Sequence, residues 1–253
     1  METSKMAKAK KEVAVQEEDQ FPTAVPEYMN QDSRRGQENV GMEDLTIPRL
    51  DVIQDLSPQH KENKPEYIEG AKVGMLFNSV TKQLYGSDVF FVPVFFRKEW
   101  VIWKDRKAGG GFAGAFPSEA EAKAALSELD NPDNYDINDT AQQFGLIIHD
   151  DGSTESIVMS MAKSKMKTSR QLNTMCNIAG GDRFSRVYKI SATEEQNQTG
   201  DDYWGIGVSQ LGYVPEDVYH KAEALYDEIS AGTRDVNRKA DAESTEEEGD
   251  AQY

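Results

Sequence analysis

Cysteine occurs once, at Cys176, in 253 residues. A single thiol excludes an internal disulfide framework and fits a reducing compartment. Histidine is almost as scarce. His60, His149 and His220 are scattered along the chain and leave no credible zinc set, so neither a metal nor a cofactor is expected. No apolar run approaches the roughly 18 residues that a membrane span needs, so no membrane partner is expected. The stretch METSKMAKAKKEVAVQEEDQ carries lysines without an apolar segment behind them, which argues against a secretory leader. These absences predict a soluble, cytosolic protein.

Catalytic motifs are missing too. KAGGGFAG is glycine-rich but lacks the G-K-[ST] ending of a phosphate loop. There is no G-x-S-x-G and no H-E-x-x-H. NYDINDT spaces its carboxylates without the glycine of a calcium-loop turn or a closing bidentate glutamate. Cys176 falls on the apolar side of its segment, as a packed thiol does. A non-enzymatic role follows.

Basic residues are outnumbered 28 to 45, for a formal net charge of −17. Such a balance ordinarily argues against a nucleic-acid partner. The charges are segregated, however. Between Ser118 and Ser156 only Lys123 opposes many acids, and the stretch DAESTEEEGDAQY holds Asp241, Glu243, Glu246, Glu247, Glu248 and Asp250 without a base. From Ser156 to Ile190, by contrast, Lys163, Lys165, Lys167, Arg170, Arg183, Arg186 and Lys189 face Asp182 alone.

Apolar periodicity divides the chain into a disordered N-terminal arm (1–44), a core (45–231) and a disordered acidic tail (232–253). Within the core, LTIPRLDVIQDLS reads as an edge strand or extended lead-in, because Pro48 suits neither a helix nor a central strand. KVGMLFNSVTKQLYG reads as a hairpin turning at Ser79 to Lys82. DVFFVPVFFRKEWVIWK is the strongest strand, apolar on both faces at first and mixed beyond Phe95. KAGGGFAG reads as a mobile loop carrying Phe112, and NPDNYDINDT as an acidic loop. SEAEAKAALSELD is a short helix with Ser118 as N-cap and Glu121 three residues on. QFGLIIHDDGSTESIVMSM is a hairpin around Asp150 to Gly152.

AKSKMKTSRQLNTMCNIAGG sets Ala162, Met166, Leu172 and Cys176 at helical spacing, with Lys163, Lys167 and Arg170 on another face. FSRVYKISA and DDYWGIGVSQLGYV are strands joined by the polar loop EEQNQTG, and PEDVYHKAEALYDEIS is a closing amphipathic helix. Short strands outnumber helices. The pattern predicts a mainly β (α+β) protein, a small β-barrel with a short inserted helix, a basic helix and a C-terminal helix.

Into this acidic chain FFRKEWVIWKDRK brings Phe96, Trp100 and Trp103 together with Arg97, Lys98, Lys104, Arg106 and Lys107. Taken singly, each aromatic reads equally well as core. Jointly they match a binder of single strands, which stacks bases on aromatics for roughly 1 to 3 kcal/mol per base and follows the phosphates with cations. A two-residue period puts Phe96, Lys98, Trp100 and Ile102 on one face and Arg97, Glu99, Val101 and Trp103 on the other. Trp204 is a further stacking candidate. Lys163, Lys165, Lys167, Arg170, Arg183, Arg186 and Lys189 would extend a phosphate-binding groove and make affinity salt-dependent.

IPRLDVIQDLSPQ, YIEGAKVGMLFNSVTKQLYG, FVPVFFRKEWVIW, SIVMSMAKSKMKTSRQLN and WGIGVSQLGYV resemble a group of bacteriophage single-stranded DNA-binding proteins, over roughly Thr46 to Tyr226. The resemblance implies an OB-like barrel and a replication or recombination role in the cytoplasm of the infected bacterium. It also implies an acidic tail, here Asp241 to Asp250 with terminal Tyr253, that contacts polymerase, primase or helicase. This tail lacks the Pro-Phe ending of the bacterial type. The expected partner is therefore single-stranded DNA, with replication proteins at the tail and homo-oligomers allowed. Two alternatives stay open: an acidic adaptor using the aromatic and basic patch as a protein hot spot, and a recombination strand-annealing protein.

Overall fold

The run DVFFVPVFFRKEWVIWK forms one unbroken strand, and the larger sheet is built on it. A computed structural model describes residues 35–38, 40, 47–197 and 200–232. The expected arm and tail lie outside the described residues, apart from 35–38, 40 and 232. The strands are β1 (Leu50–Val52), β2 (Leu76–Asn78), β3 (Leu84–Gly86), β4 (Asp88–Lys104), β5 (Phe112–Phe116), β6 (Tyr135–Ile148), β7 (Thr154–Ala162), β8 (Arg186–Gln196) and β9 (Asp202–Tyr213). Three α-helices accompany them among the described residues: α1 (Glu119–Ser127), α2 (Met166–Ala179) and α3 (Glu216–Ser230).

The strands build two antiparallel sheets. The larger has the order β7-β6-β4-β8-β9, with β5 also on β4, and the smaller is β1-β2-β3. β4 pairs with β6 along nearly its whole length, with β8 only from Asp88 to Phe91, and with β5 only from Trp100 to Trp103. Its early residues are apolar on both faces because both faces are covered. Val89 and Phe91 join a first core with Leu50, Leu76, Ile147, Met159, Tyr188 and Leu172. Val92 and Val94 join a second with Phe144, Val158 and the α3 residues Val218, Ala222, Leu225 and Ile229. Gly145 is required where β6 passes Phe91, since a Cβ there would lie 2.3 Å from the Val92 carbonyl oxygen.

The mainly β expectation with three helices holds, and the sheets remain open rather than closing into a barrel. β9 is an outer strand. Its edge is held by side chains in place of another strand. Gln54 exchanges two hydrogen bonds with the Trp204 backbone, and Thr168 Oγ1 on α2 donates to the Ile206 carbonyl. β7, the other outer strand, meets the lead-in segment through a bridge between Arg49 and Val158, whose amide donates to the Pro48 carbonyl at 2.9 Å.

Three local readings change. The glycine loop returns early: Gly109, Gly110 and Gly111 all take positive φ, and the chain turns straight into β5. NYDINDT is the start of β6, because β4 continues to Lys104 and offers it a partner strand. The basic helix begins at Met166. Ala162 ends β7, and Lys163 to Lys165 form a 3-10 turn between them. The Ser118 cap forms as expected, with Ser118 Oγ accepting from the Glu121 amide at 3.2 Å.

Candidate nucleic-acid interface

A bulge in β4 sets the geometry of the aromatic and basic stretch. Pro93 faces Gly145 and Phe95 faces Phe144, leaving Val94 as the extra residue. Beyond it Phe96, Lys98, Trp100 and Ile102 share a face with Gln143, Ala141, Asp139 and Ile137 of β6. Lys98 Nζ sits 4.7 Å from the Trp100 ring and 3.1 Å from Asp139 Oδ2. The opposite face carries Arg97, Glu99, Val101 and Trp103. Arg97 lies 5.3 Å from the Phe144 ring and 3.8 Å from Glu99, which is buried. Trp103 stacks edge-on against Phe112 of β5, with centroids 5.6 Å apart. The two tryptophans of this strand therefore look to different sides of the sheet.

The turn Arg183–Ser185 packs against β4. This places the Arg183 guanidinium 5.8 Å from the Phe96 ring. Arg183 Nη2 donates to Gln143 Oε1 at 2.6 Å and to Asn173 Oδ1 at 2.7 Å. Gln143 Nε2 in turn donates to Ser169 Oγ at 2.8 Å and to Asn173 Oδ1 at 3.1 Å. A relay of neutral groups on β6 and α2 thus fixes a cation beside an aromatic ring. Burial pulls the Arg183 pKa below its usual value.

Arg186 opens β8 opposite Tyr213 of β9. Its guanidinium lies 4.1 Å over the Tyr213 ring, and Nη2 donates to the Tyr213 hydroxyl at 3.0 Å. Tyr213 is 75% exposed. Tyr188, fully buried, has its phenol pushed up by burial first and by the Cys176 thiol second, with the charges of Arg186 and Arg183 opposing. Rings stand beside cations in a track of two parts, Tyr213 with Arg186, and Arg183, Phe96, Lys98 and Trp100 along β4, with Phe96 half-buried against the first core. Along β4 the last members stand roughly 6.6 Å apart, two residues per step.

The basic helix meets this track at its start. Lys98 pairs with Ala141, and Ala141 with Met161, so β7 ends two strands from Lys98, roughly 10 Å away in the sheet. Lys163 follows at once and is exposed, Lys165 is half-buried, and Lys167 and Arg170 are exposed on the outer side of α2. Leu172 lies in the first core, with Cys176 half-buried against it.

Other candidates lie elsewhere. Lys189 is tied to Asp88 at 3.0 Å. Lys104 is half-buried and Lys107 exposed in the turn after β4, while the Arg106 side chain lies outside the described residues. Trp204 packs against the first core, and its ring lies so close to Gly74 that a Cβ there would be 2.7 Å from it. Asp241, Glu243, Glu246, Glu247, Glu248, Asp250 and Tyr253 lie outside the described residues. Sequence reasoning missed Tyr213, Gln143 and Asn173. Arg186 and Tyr213 are 27 positions apart, and only strand pairing reveals that they are neighbours.

A family described as Pam3 phage gp34-like protein has a sequence model that matches residues 15–235. The match covers most of the chain, and the chain belongs to that bacteriophage family. No curated protein and no solved structure matches it. Among the described residues no helix is long and apolar enough to cross a membrane.

Proposed function

We propose that this phage protein binds single-stranded DNA without catalysis, coating and protecting it during replication or recombination in the cytoplasm of the infected bacterium. The observation that carries this reading is the track itself. Phe96, Lys98 and Trp100 follow one another on one strand face, and Arg183 is held against Phe96 by uncharged partners. Rings at strand spacing offer π faces to successive bases, and interleaved cations answer the phosphates between them. Lys163, Lys167 and Arg170 would continue the positive surface along the 3-10 turn and α2. Arg97 and Trp103 belong to the other face, where they would contribute little to the same strand.

The acidic segment Asp241 to Tyr253 would regulate occupancy by competing for the same cations. With the track filled by DNA, it would be released toward polymerase, primase or helicase.

Titration of intrinsic tryptophan emission with oligo-dT, at low and then high salt, tests the reading. Strong quenching that reverses with salt is expected, because phosphate contacts release counterions. Absence of quenching and of any mobility shift, for both the full chain and a tail-deleted one, would turn the same residues into a protein-binding patch.

A further inference from the structure

β9 is a long outer strand without the usual protection of an edge. Sheet edges are ordinarily kept from pairing with other chains by shortness, proline or charge. β9 runs for 12 residues, and Tyr203 to Val214 hold no proline and no charged residue. Elsewhere charge is plentiful, at 29% of the whole chain. The other outer strand, β7, carries Glu155 and is met by the lead-in segment at Val158.

Side-chain partners reveal which way the β9 peptide groups point. Gln54 meets both the amide and the carbonyl of Trp204, and Thr168 meets the carbonyl of Ile206, all on the side away from β8. Peptide groups alternate in direction along a strand, so those of Val208 and Gln210 also point outward. No register shift interrupts β8 and β9 between Ile206 and Gln210, so the alternation holds that far. The side-chain hold stops at Ile206. Among the described residues no hydrogen bond meets Val208 or Gln210 from the outer side. Beyond Gln210 a bulge follows, since Tyr188 faces Gln210 and Arg186 faces Tyr213. The free edge is therefore bounded at both ends, and its midpoint is Ser209. Ser209, Gln210, Leu211 and Tyr213 are all exposed.

We infer that β9 pairs with β9 of a second copy, antiparallel across a two-fold axis at Ser209, joining two large sheets into one. A two-fold contact sets the same surface against itself, so it favours a strand without charge of one sign. β9 supplies one in a chain of net charge −17, whose copies otherwise repel each other. With the axis at Ser209, Val208 of each copy exchanges amide and carbonyl with Gln210 of the other. Leu211 falls opposite Gly207 of the second copy, which has no side chain to oppose it. Ser209 falls opposite itself in the close, non-hydrogen-bonded position, with Cα atoms about 4.5 Å apart. The seam is short, so the association is concentration-dependent. It is independent of the DNA reading.

Sedimentation equilibrium of the full chain without DNA, over a concentration series at low and high salt, tests the seam. A monomer–dimer equilibrium is expected. It should tighten at high salt, because screening relieves the repulsion between acidic copies. S209K and S209E each set like charges against each other at the axis, and each should shift the equilibrium about tenfold toward monomer. Ser209 is exposed, so both variants should keep the wild-type melting temperature, which separates lost pairing from lost fold. An equimolar mixture of the two brings opposite charges together and should restore dimers. S209C should cross-link under oxidation, whereas the wild type, with Cys176 alone, should not. A wild type that stays monomeric at every concentration would overturn the seam. So would dimers that ignore S209K and S209E and are not captured by S209C.

Discussion

Tyr85 donates its hydroxyl to Glu155 Oε2 at 2.7 Å, and this contact ties the small sheet to β7 of the large one. Glu155 Oε1 accepts from Asn78 Nδ2 at 2.5 Å, and His149 Nε2 lies 3.4 Å from the second oxygen. Burial first and Glu155 second push the Tyr85 phenol well above its usual value. The neutral phenol is therefore the form the fold selects. Its contribution is complete below the unfolded tyrosine value of about 10 and fades as pH climbs above it. Y85F should cost about 1 kcal/mol in urea unfolding at pH 7, since it leaves a half-buried carboxylate one donor short. It should also flatten the alkaline loss of stability above about pH 10. An unchanged alkaline limb would show that other tyrosines govern it.

Gly145 offers a sharper stability test. A methyl there meets the Val92 carbonyl oxygen at 2.3 Å and the Phe91 ring at 2.4 Å, and the first of these is backbone that cannot swing aside. G145A should therefore cost about 3 kcal/mol through overpacking between β4 and β6. G212A, where nothing lies within 4 Å, should change the urea midpoint little. Equal midpoints for the two variants would mean that the two strands are more loosely packed than described.

Much of this fold was legible because its signals are local. The run from Asp88 to Lys104 showed its length, its apolar start and its later two-face division in the side-chain period alone, and the register confirms that division. The α1 cap and the β6–β7 hairpin were equally local. What stayed hidden depends on partners distant in sequence. NYDINDT looks like a loop until β4 is seen running beside it. The β9 edge is met by Gln54 and Thr168 from 150 and 38 positions away. The candidate site divides the same way. Phe96, Lys98 and Trp100 could be grouped by counting, whereas the Arg183 relay and the Arg186–Tyr213 pair exist only through the tertiary fold.

The three tryptophans should report differently. Trp100 shares its face with Phe96 and Lys98, Trp103 lies on the other side against Phe112, and Trp204 packs on Gly74. In oligo-dT titrations W100F should remove most of the quenching and weaken binding by about 1 to 3 kcal/mol, the worth of one stacked base. W103F should retain the quenching. A larger loss in W103F would move the strand path to the Arg97 face.

The exposed cations of α2 should act through charge alone. Lys167 and Arg170 are both exposed on α2. The double variant K167Q/R170Q should lower the salt slope of oligo-dT binding by about two while leaving the maximum quench unchanged. A fall in quench amplitude with an unaltered slope would place a base, instead of phosphates, against the helix.

Removal of Asp241 to Tyr253 takes away six carboxylates and no base, moving the formal net charge from −17 to −11. Two effects favour DNA: less general repulsion and no internal competitor for the cationic track. Both are electrostatic, and both fade as the screening length shortens from about 10 Å at 0.1 M salt to about 3 Å at 1 M. The truncated chain should therefore bind oligo-dT several-fold tighter at low salt, and the advantage should shrink as salt rises. Neutral replacement of the same six acids at full length separates charge from mere length. If the neutral tail behaves like the deletion, competition by carboxylates explains the gain. Unchanged or weaker affinity after deletion would count against an autoinhibitory tail and leave it as a segment for protein partners alone.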